Sequence, residues 1–286
     1  MKTKIYSMVL AFAILSFISC TKKVALDQPG IDLADDDAVS EALFEDIFNS
    51  ADNAEAILDG FLKGETKSME ESGTCPVVTT DRPPDAKWPK TVTIDYGTGC
   101  TGFYDNTRSG KIIMVVTAPR LTPGSVKTVT LDNYFINGIK VEGTKEIENL
   151  GKNDDQNLVF SITLKNGKLT LPDGKIIERS FDRQREWIAG QDTRNIWDDE
   201  FLVTGTTTGV NIKGMEYTNT ITTALHSKRA CRFIVSGVVR IEREGMEPME
   251  LNYGEGECDA VAMVTQGDQS KEILLKHRHR LWNKVN

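Results

Sequence analysis

The sequence predicts a mainly β protein, an antiparallel meander forming a curved sheet or barrel-like domain, with one N-terminal amphipathic helix. From Cys75 onward, apolar and polar residues alternate with the period of two that is typical of half-buried strands. Gly, Asn, Asp and Pro interrupt this pattern at short intervals. About a dozen short strands joined by brief turns favour an antiparallel sheet over an α/β fold with helical crossovers.

Composition and charge limit the classes of protein that fit. The chain has 286 residues, of which 39% are hydrophobic and 27% are charged, as in an ordinary globular protein of one large domain or at most two. The formal net charge is -8, and it becomes -10 without residues 1–19, which carry two lysines and no acid. The sequence contains no basic stripe, so we expect no nucleic-acid partner.

The N-terminus has the pattern of an export signal. Lys2 and Lys4 precede a mostly apolar run of about fifteen residues, which is too short to span a bilayer. Residues 17–20 (FISC) resemble a lipobox, in which the cysteine is acylated after cleavage. We therefore expect a signal peptide over residues 1–19, and a lipidated Cys20 with a polar tether over residues 20–33. A plain secretory signal, with Cys20 as an ordinary thiol, is the alternative.

An acidic amphipathic helix is expected over residues 34–66. Asp36 or Asp37 can cap its N-terminus, and Gly64 ends its pattern. The apolar residues recur at three- and four-residue spacing and predict a face that packs on the sheet, namely Val39, Leu43, Phe44, Ile47, Phe48, Ala51, Ile57, Leu58, Phe61 and Leu62. The acidic face has no calcium-loop pattern and is expected to be solvated.

Four cysteines follow Cys20, and their surroundings predict how they pair. The segments 75–100 and 231–258 each consist of a strand, a turn and a strand, and each ends on an aromatic-Gly-x-Gly pattern before the second cysteine. The ends of an antiparallel hairpin face each other, so we expect disulfides Cys75–Cys100 and Cys231–Cys258. Each hairpin leads to a further apolar strand, from Lys111 or Lys271. We therefore expect a disulfide-stapled β-domain over residues 73–286, with an internal repeat (75–117 and 231–276).

Residues 158–171 predict two strands joined by a tight turn. Leu158, Phe160, Ile162 and Leu164 alternate with polar residues up to Asn166-Gly167, a dipeptide that favours a two-residue hairpin turn. Apolar residues then resume before Pro172-Asp173-Gly174, which predicts a second turn.

Several motifs together resemble a known group of proteins. The lipobox, the acidic helix and the motifs TIDYGTGCTG, TRSGK, NYFINGIKVEGT and YGEGECD resemble uncharacterised β-rich outer-membrane-type lipoproteins of Bacteroidetes. The resemblance implies a lipid-anchored protein of the cell envelope, at the outer membrane and facing the periplasm or the surface. It implies no activity.

The sequence predicts no catalytic residues, no metal site and no cofactor. Residues 97–102 fit G-x-G-x-x-G, but a turn follows where a dinucleotide site needs a helix. His277 and His279 fall on one face of a terminal strand among cations, which disfavour a divalent metal. His226 has no orienting partner nearby in the sequence.

Two tryptophans are the candidate ligand-binding residues. Trp187 and Trp197 lie near carboxylates, including Asp198, Asp199 and Glu200, so a glycan-contacting role is one hypothesis. The leading interpretation is a membrane-anchored, noncatalytic lipoprotein that binds a glycan or protein partner or has a structural role in the envelope. The alternatives are a carrier of a hydrophobic ligand in a curved sheet and a glycan-acting enzyme.

Overall fold

The structure is a computed structural model that describes residues 75–81, 87–101, 106–193, 195–231 and 233–275, together with Ser40, Phe44 and Ile47. The predicted signal peptide, Cys20, the tether and most of the expected helix lie outside the described residues. So do His277 and His279. In the described part of the chain, no helix has the length and apolar content that crossing a membrane requires.

Fourteen strands and one short 3-10 helix form the described fold. The strands are β1 (Val77–Thr80), β2 (Lys90–Asp95), β3 (Cys100–Thr101), β4 (Thr107–Val116), β5 (Val126–Ile136), β6 (Ile139–Lys152), β7 (Leu158–Thr170), β8 (Ile176–Ala189), β9 (Glu200–Val210), β10 (Glu216–Lys228), β11 (Ile234–Arg243), β12 (Met249–Glu255), β13 (Val261–Gln266) and β14 (Gln269–Leu274). The 3-10 helix, Ile196–Asp198, lies between β8 and β9. This confirms the mainly β prediction.

All the strands belong to one antiparallel sheet. The strands pair in chain order from β1 to β14, except that β2 pairs with β4 and that β3 pairs only with β4, beside the main path. The hydrogen-bonded order starts at β1 and ends at β14, so the sheet is not closed among the described residues. The predicted meander is therefore observed as an open sheet.

One face of the sheet holds the core. Successive strand residues point to opposite faces, and the buried residues alternate with half-exposed ones along β2, β7 and β11. Ile112, Met114, Ile136 and Leu169 are fully buried on this inner face. The outer face is polar and rich in threonine. One cross-strand row runs through Thr128, Glu146, Thr163, Asp182, Thr206 and Thr220, each paired with the next.

Three residues of the expected N-terminal helix are described. Ser40, Phe44 and Ile47 are helical, stand at the i, i+4 and i+7 spacing of one helix face, and are at most 2% exposed. Phe44 and Ile47 belong to the same core cluster as the inner face of the sheet. The other residues of the expected helix lie outside the described part of the chain, so the helix over residues 34–66 stays a prediction.

The turn predicted at Asn166-Gly167 is wrong. β7 continues through both residues to Thr170, with a bulge between Leu164 and Gly167, and the chain reverses only at residues 172–174. A Cβ on Gly167 would lie 2.4 Å from the Arg179 carbonyl oxygen and 3.0 Å from the Phe44 ring. The glycine therefore serves close packing, and Asn166 takes a positive φ within the bulge.

The predicted cysteine pairs are confirmed. Cys75 bonds to Cys100 and Cys231 to Cys258, and each pair links the two outer ends of a hairpin. The strands after the hairpins differ from the prediction in one respect. β4 pairs directly with β2, but the strand beside β12 is β13, and the strand at Lys271 is β14, one place further out.

Candidate functional site

Residues 190–199 connect β8 to β9 at one end of the sheet, and several hydrogen bonds from their own side chains hold this loop. We call these residues the rim loop. The loop begins at Gly190, whose φ is +89°, and a Cβ there would lie within 3 Å of the Asp199 backbone. Only glycine fits this tight entry. The loop is anchored to the end of β10 by a hydrogen bond from the Arg229 amide to the Asp199 carbonyl oxygen, 2.9 Å long.

The rim loop presents Trp197 to solvent. Its side chain is 65% exposed, and it is carried by the 3-10 helix. The Asn195 side chain accepts a hydrogen bond from the Trp197 amide at 3.2 Å. The Thr193 hydroxyl lies 2.9 and 3.0 Å from the two carboxylate oxygens of Asp198. The indole is therefore an exposed aromatic surface on a loop that is held by its own side chains.

Trp187, the other candidate, lies on the inner face. It is 8% exposed, and its ring centre is 5.8 Å from that of Phe201. The structure therefore separates the two tryptophans, with Trp197 available to an external ligand and Trp187 in the core. Trp187 is buried because the alternation along β8 places it on the inner face, together with Phe181 and Ile177.

Two arginines stack on aromatic rings beside Trp187. The Arg120 guanidinium lies 5.4 Å from the Trp187 ring centre and 6.0 Å from that of Phe160. The Arg185 guanidinium lies 5.6 Å from the ring centre of Phe160 and 5.0 Å from that of Phe201. We call these five residues the arginine-aromatic cluster. Cation-π contacts of this kind hold cations in an otherwise apolar layer.

A small cavity adjoins the arginine-aromatic cluster. Its volume is about 20 Å³, room for about one water molecule, and it is partly open to solvent. Arg120, Lys127 and Arg185 contribute to its wall, together with Ser125 and Asn149. A cavity of this size does not hold an acyl chain.

Asp199 is a buried carboxyl group next to these cations. It is 6% exposed, and burial raises the pKa of its carboxyl group, while the positive charges of Arg229 and Arg120 partly oppose this effect. Asp199 therefore links the rim loop electrostatically to the arginine-aromatic cluster.

On the outer face, His226 has a partner that sequence reasoning missed. Its Nε2 lies 2.7 Å from Glu200 Oε2, and Lys228 Nζ lies 3.8 Å from the other oxygen of the same carboxylate. Glu200 is 26 residues earlier in the chain, and only the pairing of β9 with β10 brings it near. In the described part of the chain, no hydroxyl group bonds to the second ring nitrogen, so the pair does not extend to a Ser-His-acid arrangement.

The three consecutive acids do not converge on one cleft. Asp198 is exposed and bound by Thr193, Asp199 is buried, and Glu200 contacts His226 on the outer face. Among the residues that the structure describes, no group of three or more His, Cys, Asp or Glu side chains is placed to hold a metal ion.

Comparison of the chain with protein-family models, with curated proteins and with solved structures found no match. The disulfides give a weak indication of an oxidising environment outside the cytoplasm. The class that the described residues define is therefore that of a disulfide-bonded, open antiparallel β-sheet protein.

Proposed function

We propose that the protein is a lipid-anchored component of the outer membrane with a noncatalytic binding or structural role. The observation that carries this proposal is the pair of disulfides, one in a hairpin near each end of the sheet. Such bonds persist in oxidising compartments, and the apolar run ending at Cys20 supplies the matching export signal. Acyl chains on Cys20 would hold the domain at the membrane, with residues 21–33 as a spacer.

Replacing Cys20 tests the anchor. A Cys20→Ser form is expected to lose labelling by radioactive palmitate and to leave the membrane fraction, because more than one acyl chain is needed for stable anchoring. A Cys75→Ser/Cys100→Ser form is the matched control, since it also lacks cysteines but should keep the label. The proposal is wrong if the native chain takes up no palmitate, or if the Cys20→Ser form stays with the envelope.

We further propose that the rim loop contacts a glycan through Trp197. The support is the 65% exposure of the indole on a loop braced by Asn195 and Thr193. An amphipathic ring of this kind offers a large apolar surface at low entropic cost, and neighbouring carboxylate and amide groups can bond sugar hydroxyls.

A Trp197→Ala form tests this contact. It is expected to bind envelope polysaccharide at least tenfold more weakly than the native chain, with an unchanged unfolding temperature, because the indole is mostly outside the core. Leu121→Ala is the control, since Leu121 is 56% exposed on a different loop. Equal binding by the Trp197→Ala and native forms would exclude Trp197 as the contact.

The cavity beside the arginine-aromatic cluster lends no support to the carrier hypothesis. It has room for about one water molecule, and three of its lining side chains are cationic. The dispersed positions of Asp198, Asp199 and Glu200 likewise give no support to a glycosidase arrangement, which needs two facing carboxyl groups.

A further inference from the structure

We propose that the inner face of the sheet is the docking surface for the acidic segment over residues 34–66 of this chain, whose carboxylates neutralise cations that this face buries. The segment contains ten acidic residues and one lysine. Two of its described residues, Phe44 and Ile47, belong to the core cluster of the inner face. The sequence pattern alone predicted a solvated acidic face, whereas a docked segment turns part of its carboxylates toward the sheet.

The inner face buries several positive charges. Lys145 and Arg179, for example, are 5% and 2% exposed at inner positions of β6 and β8. We call the buried cations of the described strands the inner-face cations, namely Lys90, Arg108, Lys127, Lys145, Arg179 and Arg243. A cation that is removed from water requires negative charge close by, because desolvation of an uncompensated charge is costly.

The described residues supply little buried negative charge. Among their buried side chains, Asp199 is the one acid, and it lies in the rim loop, where Arg229 and Arg120 act on its carboxyl group. The charge that balances the inner-face cations therefore comes largely from another part of the chain. Residues 276–286 do not fit this role, because they contain four Lys and Arg residues and no acid. Residues 34–66 have the complementary charge.

Phe44 fixes where the segment meets the sheet. Its ring lies 3.0 Å from the position that a Cβ on Gly167 would take, and Gly167 pairs with Arg179 across β7 and β8. The Arg179 Nη1 donates a hydrogen bond to the Tyr217 hydroxyl at 3.3 Å, and the Arg243 guanidinium lies 4.7 Å from the Tyr217 ring centre. The contact of Phe44 with the sheet is therefore next to two inner-face cations.

Helical spacing selects the acids that face these cations. Asp37 and Glu41 are seven and three residues before Phe44, so on the expected helix they lie on the same side as its buried ring. Glu45 and Asp46 are the next two residues after Phe44, and neighbours at these spacings do not share a face. We therefore expect the first pair to contact the sheet and the second pair to face solvent.

Hydrogen exchange of the purified full chain, followed by mass spectrometry, tests the docking. Asp37→Asn/Glu41→Gln is expected to exchange about tenfold faster or more over residues 40–47, because the docked state loses negative charge that buried cations require. Glu45→Gln/Asp46→Asn is the matched control, since it removes the same charge and the same residue types, and it should exchange as the native chain does. An unchanged rate in the first form, or an equal rise in the control, overturns the proposal.

The exchange of β7 serves as an internal reference in the same experiment. Its rate should stay native in the Asp37→Asn/Glu41→Gln form, which shows that the sheet is folded. If the double variant fails to fold, the single Glu41→Gln form repeats the test with the same expected direction.

Arg179→Met tests the cationic side of the contact. It is expected to speed exchange over residues 40–47, and its effect combined with Asp37→Asn/Glu41→Gln should be less than the product of the two, because both changes remove the same interaction. Arg240→Met, on the outer face, is the control and should leave this exchange unchanged. Fully multiplicative effects overturn the proposal. Lys145→Met, another inner-face cation, replaces Arg179→Met if that form fails to fold.

Chain concentration separates this segment from that of a second copy as the occupant of the inner face. Protection of residues 40–47 that is the same at high and low chain concentration supports docking within one chain. Protection that is lost on dilution assigns the inner face to a second copy and overturns the proposal.

Discussion

Replacing Phe160 with alanine is expected to lower the free energy of unfolding by about 3–5 kcal/mol, the range for a buried Phe→Ala change. Phe160 is 2% exposed on the inner face, and the guanidinium groups of Arg120 and Arg185 lie 6.0 and 5.6 Å from its ring centre. The substitution therefore leaves a cavity and also removes an aromatic surface from two cations. Urea unfolding followed by circular dichroism measures the loss.

Leu150→Ala is the matched control for this prediction. Leu150 is also a large apolar residue, but it is 48% exposed, so its truncation should change the free energy of unfolding by no more than about 0.5–1 kcal/mol. A loss of less than about 1 kcal/mol for Phe160→Ala would show that the arginine-aromatic cluster is not part of the stable core.

Removing the Cys231–Cys258 disulfide should have an effect of similar size. The bond closes a chain segment with a sequence separation of 27 residues, and loop-closure entropy predicts a loss of about 3 kcal/mol for the Cys231→Ser/Cys258→Ser form. Thermal unfolding of the oxidised native and variant chains measures the difference.

The second disulfide provides an internal comparison. Cys75–Cys100 has a sequence separation of 25 residues, so Cys75→Ser/Cys100→Ser should cost nearly the same. Under reducing conditions the native chain should become less stable than either variant in its oxidised state. If reduction leaves the unfolding temperature of the native chain unchanged, the disulfides do not stabilise the sheet.

Local patterns in the sequence were sufficient to predict much of the fold. Alternation along the strands predicts which side chains face inward, and the similar surroundings of the two cysteine segments predict the bonds Cys75–Cys100 and Cys231–Cys258. The turn predicted at Asn166-Gly167 was wrong because this dipeptide can form a bulge as well as a hairpin turn. The deciding factor, the approach of Phe44 and the Arg179 carbonyl to Gly167, comes from distant parts of the chain.

The candidate sites were harder to predict because their members meet only through strand register. Glu200 and His226 come together across β9 and β10, and Arg120 reaches Phe160 and Trp187 from a loop far away in sequence. In addition, a hydropathy pattern assigns arginines to the surface, although those of β8 lie at inner positions. The period of two along β8 nevertheless places Arg183 and Arg185 on the same face as Phe181 and Trp187, which is a signal present in the sequence.

The order of strands in the sheet has a consequence for how the molecule is made. Along the main path every strand finds its neighbours immediately before and after it in the chain, so no pairing requires a distant segment to arrive first. A pairing between consecutive strands closes a smaller loop than a pairing between distant segments, and its entropic cost is lower. Each strand of the main path can therefore pair with its predecessor without waiting for a distant part of the chain.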